Sequence, residues 1–342
     1  MPVTDPLKPM SKAQTSRTYR FHGLELRVRC SATMGTFLDQ RFRVLPPEGE
    51  LRGTISLDFW PVPNPSQHCV EKPLGQERIF YDFPRGEACS FTGDQLYLRF
   101  ENGVRVLSRP ELGCASFSIV ESEPANLFMA SHLMLTILFV EFLKRRGYYS
   151  MHAAGFCKNG KAILLPGGSG AGKSTLAITL LRSAFGYLSD DMVYLRWDSR
   201  DLKVLGFPED VDVTDQTITF FPELAPLQNA PKSVAWAKQS VRPDEIYAVE
   251  VIREARPGAI VFPKISGKER SDVRLIDTDE AFREIIANLL LTEARSCQSH
   301  LNILTELVRQ TPCYRLETGR DFDRIPALLG DLLTGSREEI HA

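Results

Sequence analysis

Chain length, the spacing of apolar residues and one glycine-rich run predict an α/β protein of two domains, a smaller mainly antiparallel β domain followed by an α/β domain built around that run. The chain has 342 residues, and a domain usually takes about 100 to 200. Residues 18 to about 123 hold short segments that alternate apolar and polar side chains between Gly, Pro and Asn turns, as half-buried strands do. Further on, apolar residues recur at helical spacing between strand-like runs. The expected boundaries are a flexible arm at 1–17, a β-rich domain at 18–125 and an α/β domain at 126–342, which opens with a linking helix at 126–146.

Composition excludes several classes. Apolar residues make up 43% and charged residues 25%, and 23 Gly and 22 Pro are near average usage. Collagen-like, coiled-coil and wholly disordered chains have other compositions. A net charge of -2, from 41 Lys plus Arg against 43 Asp plus Glu, provides no field to gather a polyanion, so no nucleic-acid partner is expected and any anion site must be local. The seven cysteines are odd in number, scattered and without a C-x-x-C pair, which suits reduced thiols in the cytoplasm better than a disulfide framework or zinc site. The arm carries Lys8, Lys12 and Arg17 but no apolar core of a secretory signal.

In chain order, the β-like segments are 19–21, 24–28, 54–59 and 95–100, with a turn at Glu101-Asn102-Gly103. The apolar run 127–142 is broken by Ser131, His132, Thr136 and Glu141. It falls short of the roughly 20 apolar residues of a membrane span, so it is expected as a buried helix and no membrane partner is expected. Residues 148–157 predict a strand, Asn159-Gly160 a hairpin turn, and 161–165 a second strand that runs into Pro166-Gly167. Leu176, Ala177, Leu180, Leu181 and Ala184 predict a helix over 173–183, stopped by Gly186. Residues 187–195 predict β structure interrupted by two acids. Four prolines in 221–244 predict a long surface loop. A buried strand at 259–262, a helix at 278–292 capped by Thr278 or Asp279, and a last helix at 325–334 complete the α/β part.

Chemistry concentrates in that second part. Gly167-Gly168-Ser169-Gly170-Ala171-Gly172-Lys173-Ser174 satisfies G-x-x-x-x-G-K-[ST], with an apolar strand before it and an amphipathic helix after it. Glycines let successive N–H groups turn toward a phosphate, the helix N-terminus adds about half a positive charge, and Lys173 adds a full one near the β and γ phosphates. ATP is the expected ligand, held by residues 167–175 including Thr175, with the Ser174 hydroxyl offered to Mg²⁺.

Asp190-Asp191 follow Ser174 by 16 and 17 residues. On a strand adjacent side chains point to opposite faces, so the two carboxylates are expected to take different tasks unless the strand ends there. One would hold Mg²⁺ and the other accept a hydroxyl proton. We assign Asp190 as base and Asp191 as metal partner, with the reverse assignment left open. His152 lies on the strand that the hairpin returns beside the loop; it is either a structural residue or one that reaches the reacting phosphate or orients an acid.

A His-bearing strand, a hairpin, Gly-Gly-Ser-Gly-Ala-Gly-Lys-Ser, a helix and then Tyr187-Leu188-Ser189-Asp190-Asp191 resemble the catalytic domain of HPr kinase/phosphorylase and its Ser/Thr kinase relatives, well over 148–200 and loosely to about 335. The resemblance implies a P-loop kinase fold related to ATP-dependent phosphoenolpyruvate carboxykinases, with ATP and Mg²⁺ phosphorylating a seryl hydroxyl. It also implies that His152 and the Asp pair match the family's catalytic positions. The family's Glu-x-Arg-Gly-Leu-Gly signature has no equivalent; Gly206-Phe207-Pro208-Glu209-Asp210 stands near its place. HPr and reverse phosphorolysis are therefore not expected. Divergent relatives occur beside peptide-modifying genes, including lasso-peptide clusters, which implies a peptide serine as acceptor.

The expected partner is thus a peptide or small protein bearing a serine hydroxyl, with self-association left open. Two alternatives are a small-alcohol kinase and a nucleotide-binding or ATPase module that transfers nothing. Additional cations are sought in Lys264, Lys268 and Arg270 after the 259–262 strand, and in Lys232, Lys238 and Arg242 of the proline-rich loop, each set weighed against a solvated loop.

Overall fold

The computed structural model describes residues 14–42, 51–82, 88–101, 103–168, 170–229, 238–287, 289, 292 and 294–334. Ser169, Lys232, Asn102 and residues 1–13 of the expected arm lie outside them. The protein is a mixed α/β structure with two large sheets, and it divides into two units, Met1–Arg145 and Arg146–Ala342.

The first unit contains β1 (Thr15–Phe21), β2 (Leu24–Cys30), helix α1 (Ala32–Phe42), β3 (Gly53–Pro61), β4 (Glu77–Asp82), β5 (Ala88–Thr92), β6 (Gln95–Phe100), β7 (Val104–Arg109) and β8 (Cys114–Ile119). The sheet order is β1-β2-β3-β8-β7-β6-β5-β4. Most pairings are antiparallel, as expected, but β3 runs parallel to both β2 and β8. A parallel pair needs a crossover, and α1 supplies the one between β2 and β3. The arm also ends earlier than expected: residues 15–17 belong to β1, and Arg17 pairs with Asp39 of α1 at 3.1 Å.

Helix α2 (Pro124–Met129), a π-turn at Ala130–Met134 and α3 (Leu135–Lys144) form one apolar rod. By length and composition alone the rod Pro124–Lys144 is apolar enough to cross a bilayer, with a mean hydropathy of 1.7, but 78% of that stretch is buried within the protein. Its internal charges are neutralised locally, Lys144 donating to Glu141 at 2.8 Å. Arg41 of α1 donates to the carbonyls of Ser131 and His132, and the Phe139 ring lies 5.5 Å from Phe21. The helix expected to open the second domain therefore packs within the first unit.

The second unit contains β9 (Tyr149–Lys158), β10 (Lys161–Pro166), α4 (Lys173–Leu181), β11 (Gly186–Ser189), β12 (Met192–Asp198), β13 (Asp201–Leu205), β14 (Val211–Val213), α5 (Asp215–Phe220), β15 (Gln239–Val241), α6 (Pro243–Ile246), β16 (Glu254–Ile265), β17 (Asp272–Leu275), α7 (Thr278–Ile286), α8 (Ala294–Gln310), β18 (Cys313–Thr318) and α9 (Ile325–Thr334). Strands β9 and β10 form the hairpin that Asn159-Gly160 predicts, with both turn residues at positive φ, 53° and 73°. Strand β10 also pairs in parallel with β16, and β16 with β18. Because β9, β12, β13 and β16 pair in succession and β10 pairs with both β9 and β16, the strand contacts close into a circuit through β10.

The apolar run of β10 follows from its position, since a strand covered on both faces has no solvent side to alternate with. Ile163 and Leu165 enter one buried cluster with Leu176 and Leu180 of α4 and Leu329 of α9. Ala162 and Leu164 enter the opposite cluster with Ile285 of α7 and Leu304 and Leu307 of α8.

Several bounds differ from the expectations. The helix after the glycine run ends at Leu181, and the left-handed residue beyond it is Ala184 at φ 56°, not Gly186. The cap of α7 is Asp277, whose carboxylate accepts from the Glu280 N–H at 2.7 Å, and this helix stops at Ile286. The 17-residue α8 was not anticipated. Within 221–244 the described residues are ordered, with a 3-10 run at Pro222–Asn229 and strand β15 paired to β14.

Candidate active site

Strand β10 delivers the glycine run to the start of α4. Gly170 and Gly172 have φ of 84° and 94°, values that side chains rarely adopt, so glycine is required for the turn at those two positions. A Cβ on Gly167 would approach the Ala171 Cβ to 3.1 Å, so the first glycine permits the loop to fold over itself. Lys173 is the first residue of α4, and its ammonium donates back to the carbonyls of Gly167 (2.5 Å) and Gly168 (3.3 Å). Burial lowers its pKa, against the pull of Asp191 and Asp190. A half-buried cation that satisfies itself on loop carbonyls is one that an incoming anion would favour. The Ser174 hydroxyl has no hydrogen-bond partner among the described residues. Thr175 Oγ1 lies 3.2 Å from Thr217 Oγ1, tying α4 to α5.

The two acids do not sit within a strand. β11 ends at Ser189 and β12 starts at Met192, so Asp190 and Asp191 occupy the bend between them. The bend sends one carboxylate inward and one outward. Asp190 is 9% exposed. Its Oδ2 accepts from the Asp212 N–H at 3.3 Å, while its Oδ1 is buried with no hydrogen-bond partner among the described residues. Burial, reinforced by the charges of Asp191 and Asp212, raises its pKa to about 8. The Asp191 side chain is 60% exposed and its Oδ1 meets His152 Nε2 at 2.7 Å. The surrounding protein displaces part of its water, yet the His152 contact and the charges of His152 and Lys173 hold its carboxyl below the usual range. The contact follows from the strand register: β9 pairs His152 with Met192, directly after the bend.

The bend is fixed from below. Ser189 Oγ donates to the Phe207 carbonyl at 2.9 Å and accepts from the Met192 N–H at 3.3 Å, and the Tyr187 hydroxyl donates to the Glu209 carbonyl at 2.6 Å. Gly206 makes this docking possible, because a Cβ there would stand 2.6 Å from the Ile252 carbonyl oxygen and 2.8 Å from that of Leu188. Both obstacles are backbone and cannot rotate away. Gly206→Ala is expected to destabilise the protein by about 1 to 3 kcal/mol, the cost of overpacking, and thermal unfolding would measure it.

Asp212, on β14 and opposite Ser240 of β15, was not singled out from the sequence. Its Oδ1 accepts from Ser240 Oγ at 3.1 Å, and burial raises its pKa. The signal was available in Asp210-Val211-Asp212-Val213, whose alternation puts both acids on one face of a strand. Lys238 precedes β15, and its charge acts on Lys173, Asp191 and Asp212. Two of the other cations considered are engaged elsewhere. Lys268 pairs with Glu317 at 2.5 Å and Arg242 with Glu245 at 2.5 Å, while Lys264 is exposed at the end of β16.

The residues fit a magnesium nucleotide in kind. Among the described residues no group of three or more His, Cys, Asp or Glu is arranged to enclose a metal ion. Mg²⁺ commonly needs no such cage, binding through one or two carboxylates plus substrate phosphates. The exposed Asp191 carboxylate and the unpartnered Ser174 hydroxyl supply that kind of donor.

No protein-family model matches the chain, and no curated protein matches it. Among solved structures, the chain is similar to the Hpr(Ser) kinase/phosphatase from Coxiella burnetii, at 13% identity and a TM-score of 0.31 over 54% of this chain and 88% of that one. At that score the overlap leaves the functional assignment to the geometry of the loop and the two acids.

Proposed function

We propose that the second unit is an ATP- and Mg²⁺-dependent kinase with a P-loop fold of the HPr kinase type, transferring the γ-phosphoryl group to a serine hydroxyl of a peptide or small protein. The observation that carries this reading is the bend that sets the buried Asp190 beside the His152-held Asp191, two carboxylates whose charges act on the loop lysine Lys173. Backbone N–H groups of 167–174 and Lys173 would hold the phosphates. Ser174 and Asp191 would hold Mg²⁺, which when bound supplies charge neutralisation at the phosphates.

Asp190 would take the hydroxyl proton. A base serves best when its pKa lies near the working pH, and a carboxyl raised to about 8 is far better matched to an alcohol than an ordinary one. His152 would keep Asp191 ionised and correctly turned, and Asp190 would act through its ionised fraction, which grows as pH approaches 8. Phosphoryl transfer asks mainly for positioning and electrostatic stabilisation, which a rigid bend and a loop of N–H donors provide.

Incubation with γ-labelled ATP, Mg²⁺ and a mixture of peptides and small alcohols tests this. Label is expected on peptide serine. Label on a small alcohol would move the acceptor class, and label released only as free phosphate would overturn the kinase reading in favour of an ATPase.

A further inference from the structure

A cavity of about 440 Å³ lies beside α4, walled by Phe220 at the end of α5 and Pro222 just after it, by residues 320–324 in the turn after β18, which include Asp321 and Asp323 among the arginines, and by Arg182 at the end of α4. Small-molecule pockets usually measure about 300 to 1,000 Å³. The Phe220 and Phe322 rings stand 5.1 Å apart at 48°, and Phe220 keeps 42% of its surface in water. Arg182 is held by Glu223 at 3.0 Å and Arg324 by Asp321 at 3.6 Å. The Arg320 guanidinium is exposed and makes no hydrogen bond or ion pair among the described residues. The open Phe220 ring and the partly buried Phe322 beside an uncommitted planar cation match a ligand that has both a ring and hydrogen-bond acceptors.

Two structural links join this cavity to the glycine loop. The first is α5, bound to α4 where Thr217 meets Thr175, the residue after Lys173-Ser174; Phe220 follows three residues later. The second is the parallel strand set. β10, β16 and β18 all deliver their carboxyl ends to one edge, where open α/β sheets bind ligands. At that edge Ile265 lies 3.4 Å from where a Gly172 Cβ would stand, the Ser266 N–H donates to the Thr318 carbonyl at 3.1 Å, and the Arg320 N–H donates to the Glu269 carbonyl at 3.3 Å.

We propose that this cavity is the nucleoside subsite: the purine base stacks on Phe220 and Phe322, and Arg320 donates to base or ribose acceptors, while the phosphates run back past Thr175 to the loop. The proposal rests on the loop binding a nucleotide, and it adds what the loop alone lacks, a means to tell a nucleotide from inorganic polyphosphate.

Calorimetric titration of the full chain with ADP and, separately, with inorganic tripolyphosphate separates the two ideas. Phe322→Ala is expected to weaken ADP roughly tenfold, the scale of a lost base stack, and to leave tripolyphosphate within about twofold. Arg320→Ala, at an exposed side chain that holds nothing in the fold, is expected to show the same selectivity and guards against a Phe322 variant that merely unfolds. Unchanged ADP affinity in both variants would overturn the subsite, as would an equal loss for both ligands. If neither ligand binds the unsubstituted chain, the loop reading fails first and this proposal falls with it.

Discussion

Asp190→Asn is expected to abolish transfer while making the protein more stable. The two effects have one cause. A carboxyl whose pKa is raised to about 8 by burial keeps its proton in the folded state at pH values where the unfolded chain has already lost it. Between about pH 4 and pH 8 the native state binds more protons than the unfolded state, so this group's contribution to stability falls as pH rises through that window and stays unfavourable above it. Asparagine is nearly isosteric and can still accept from the Asp212 N–H, but it carries no charge to desolvate. Thermal unfolding should therefore show the variant gaining on the unsubstituted protein from pH 5 to pH 9, with a difference of up to ~5 kcal/mol that closes below pH 4. The same change removes the proposed base, which should lower kcat by about 10² to 10⁴ with nucleotide affinity retained. A variant that gained stability and kept its rate would leave the buried carboxyl without a catalytic task.

Such a trade of stability for chemistry is hard to read from sequence. The motif 167–174 and the acid pair were legible because each needs particular residue types at fixed spacing, and the hairpin because Asn159-Gly160 fits a left-handed two-residue turn. That Asp190 and Asp191 would differ was legible too; that they differ by burial, through a bend, was not. Burial depends on the docking of 206–213 beneath β11, a contact that no local pattern encodes. Helix α8 was missed for a related reason. Its first half, Arg295-Ser296-Cys297-Gln298-Ser299, is polar, and only Ile303, Leu304, Leu307 and Val308 show the spacing of a buried face. Helix α1 was hidden by its setting, a short amphipathic stretch between strands, where the parallel pairing of β2 with β3 depends on it. Local chemistry survives in the sequence, whereas nonlocal burial must be folded to be seen.

Lys173→Ala should lower nucleotide affinity at least about 100-fold while changing thermal stability little. In the present structure the ammonium is spent on the carbonyls of Gly167 and Gly168 and is partly desolvated, so burial lowers its pKa. A lowered pKa in a cation means that the folded state binds the proton less well than the unfolded chain. This costs stability at neutral pH, and the cost recedes as pH rises through the lowered value. Removing the side chain loses two hydrogen bonds and removes that cost, and the two partly cancel. With a triphosphate on the loop the balance reverses, because the same charge then faces a polyanion at short range in a site of low dielectric. Charge-assisted contacts of this kind are worth about 1.5 to 3 kcal/mol each, and 100-fold corresponds to ~2.7 kcal/mol. Calorimetry with ADP and melting curves without it would read both quantities on one preparation. Retained affinity would detach the glycine run from phosphate binding, whereas lost affinity with lost stability would make Lys173 a structural residue of the loop.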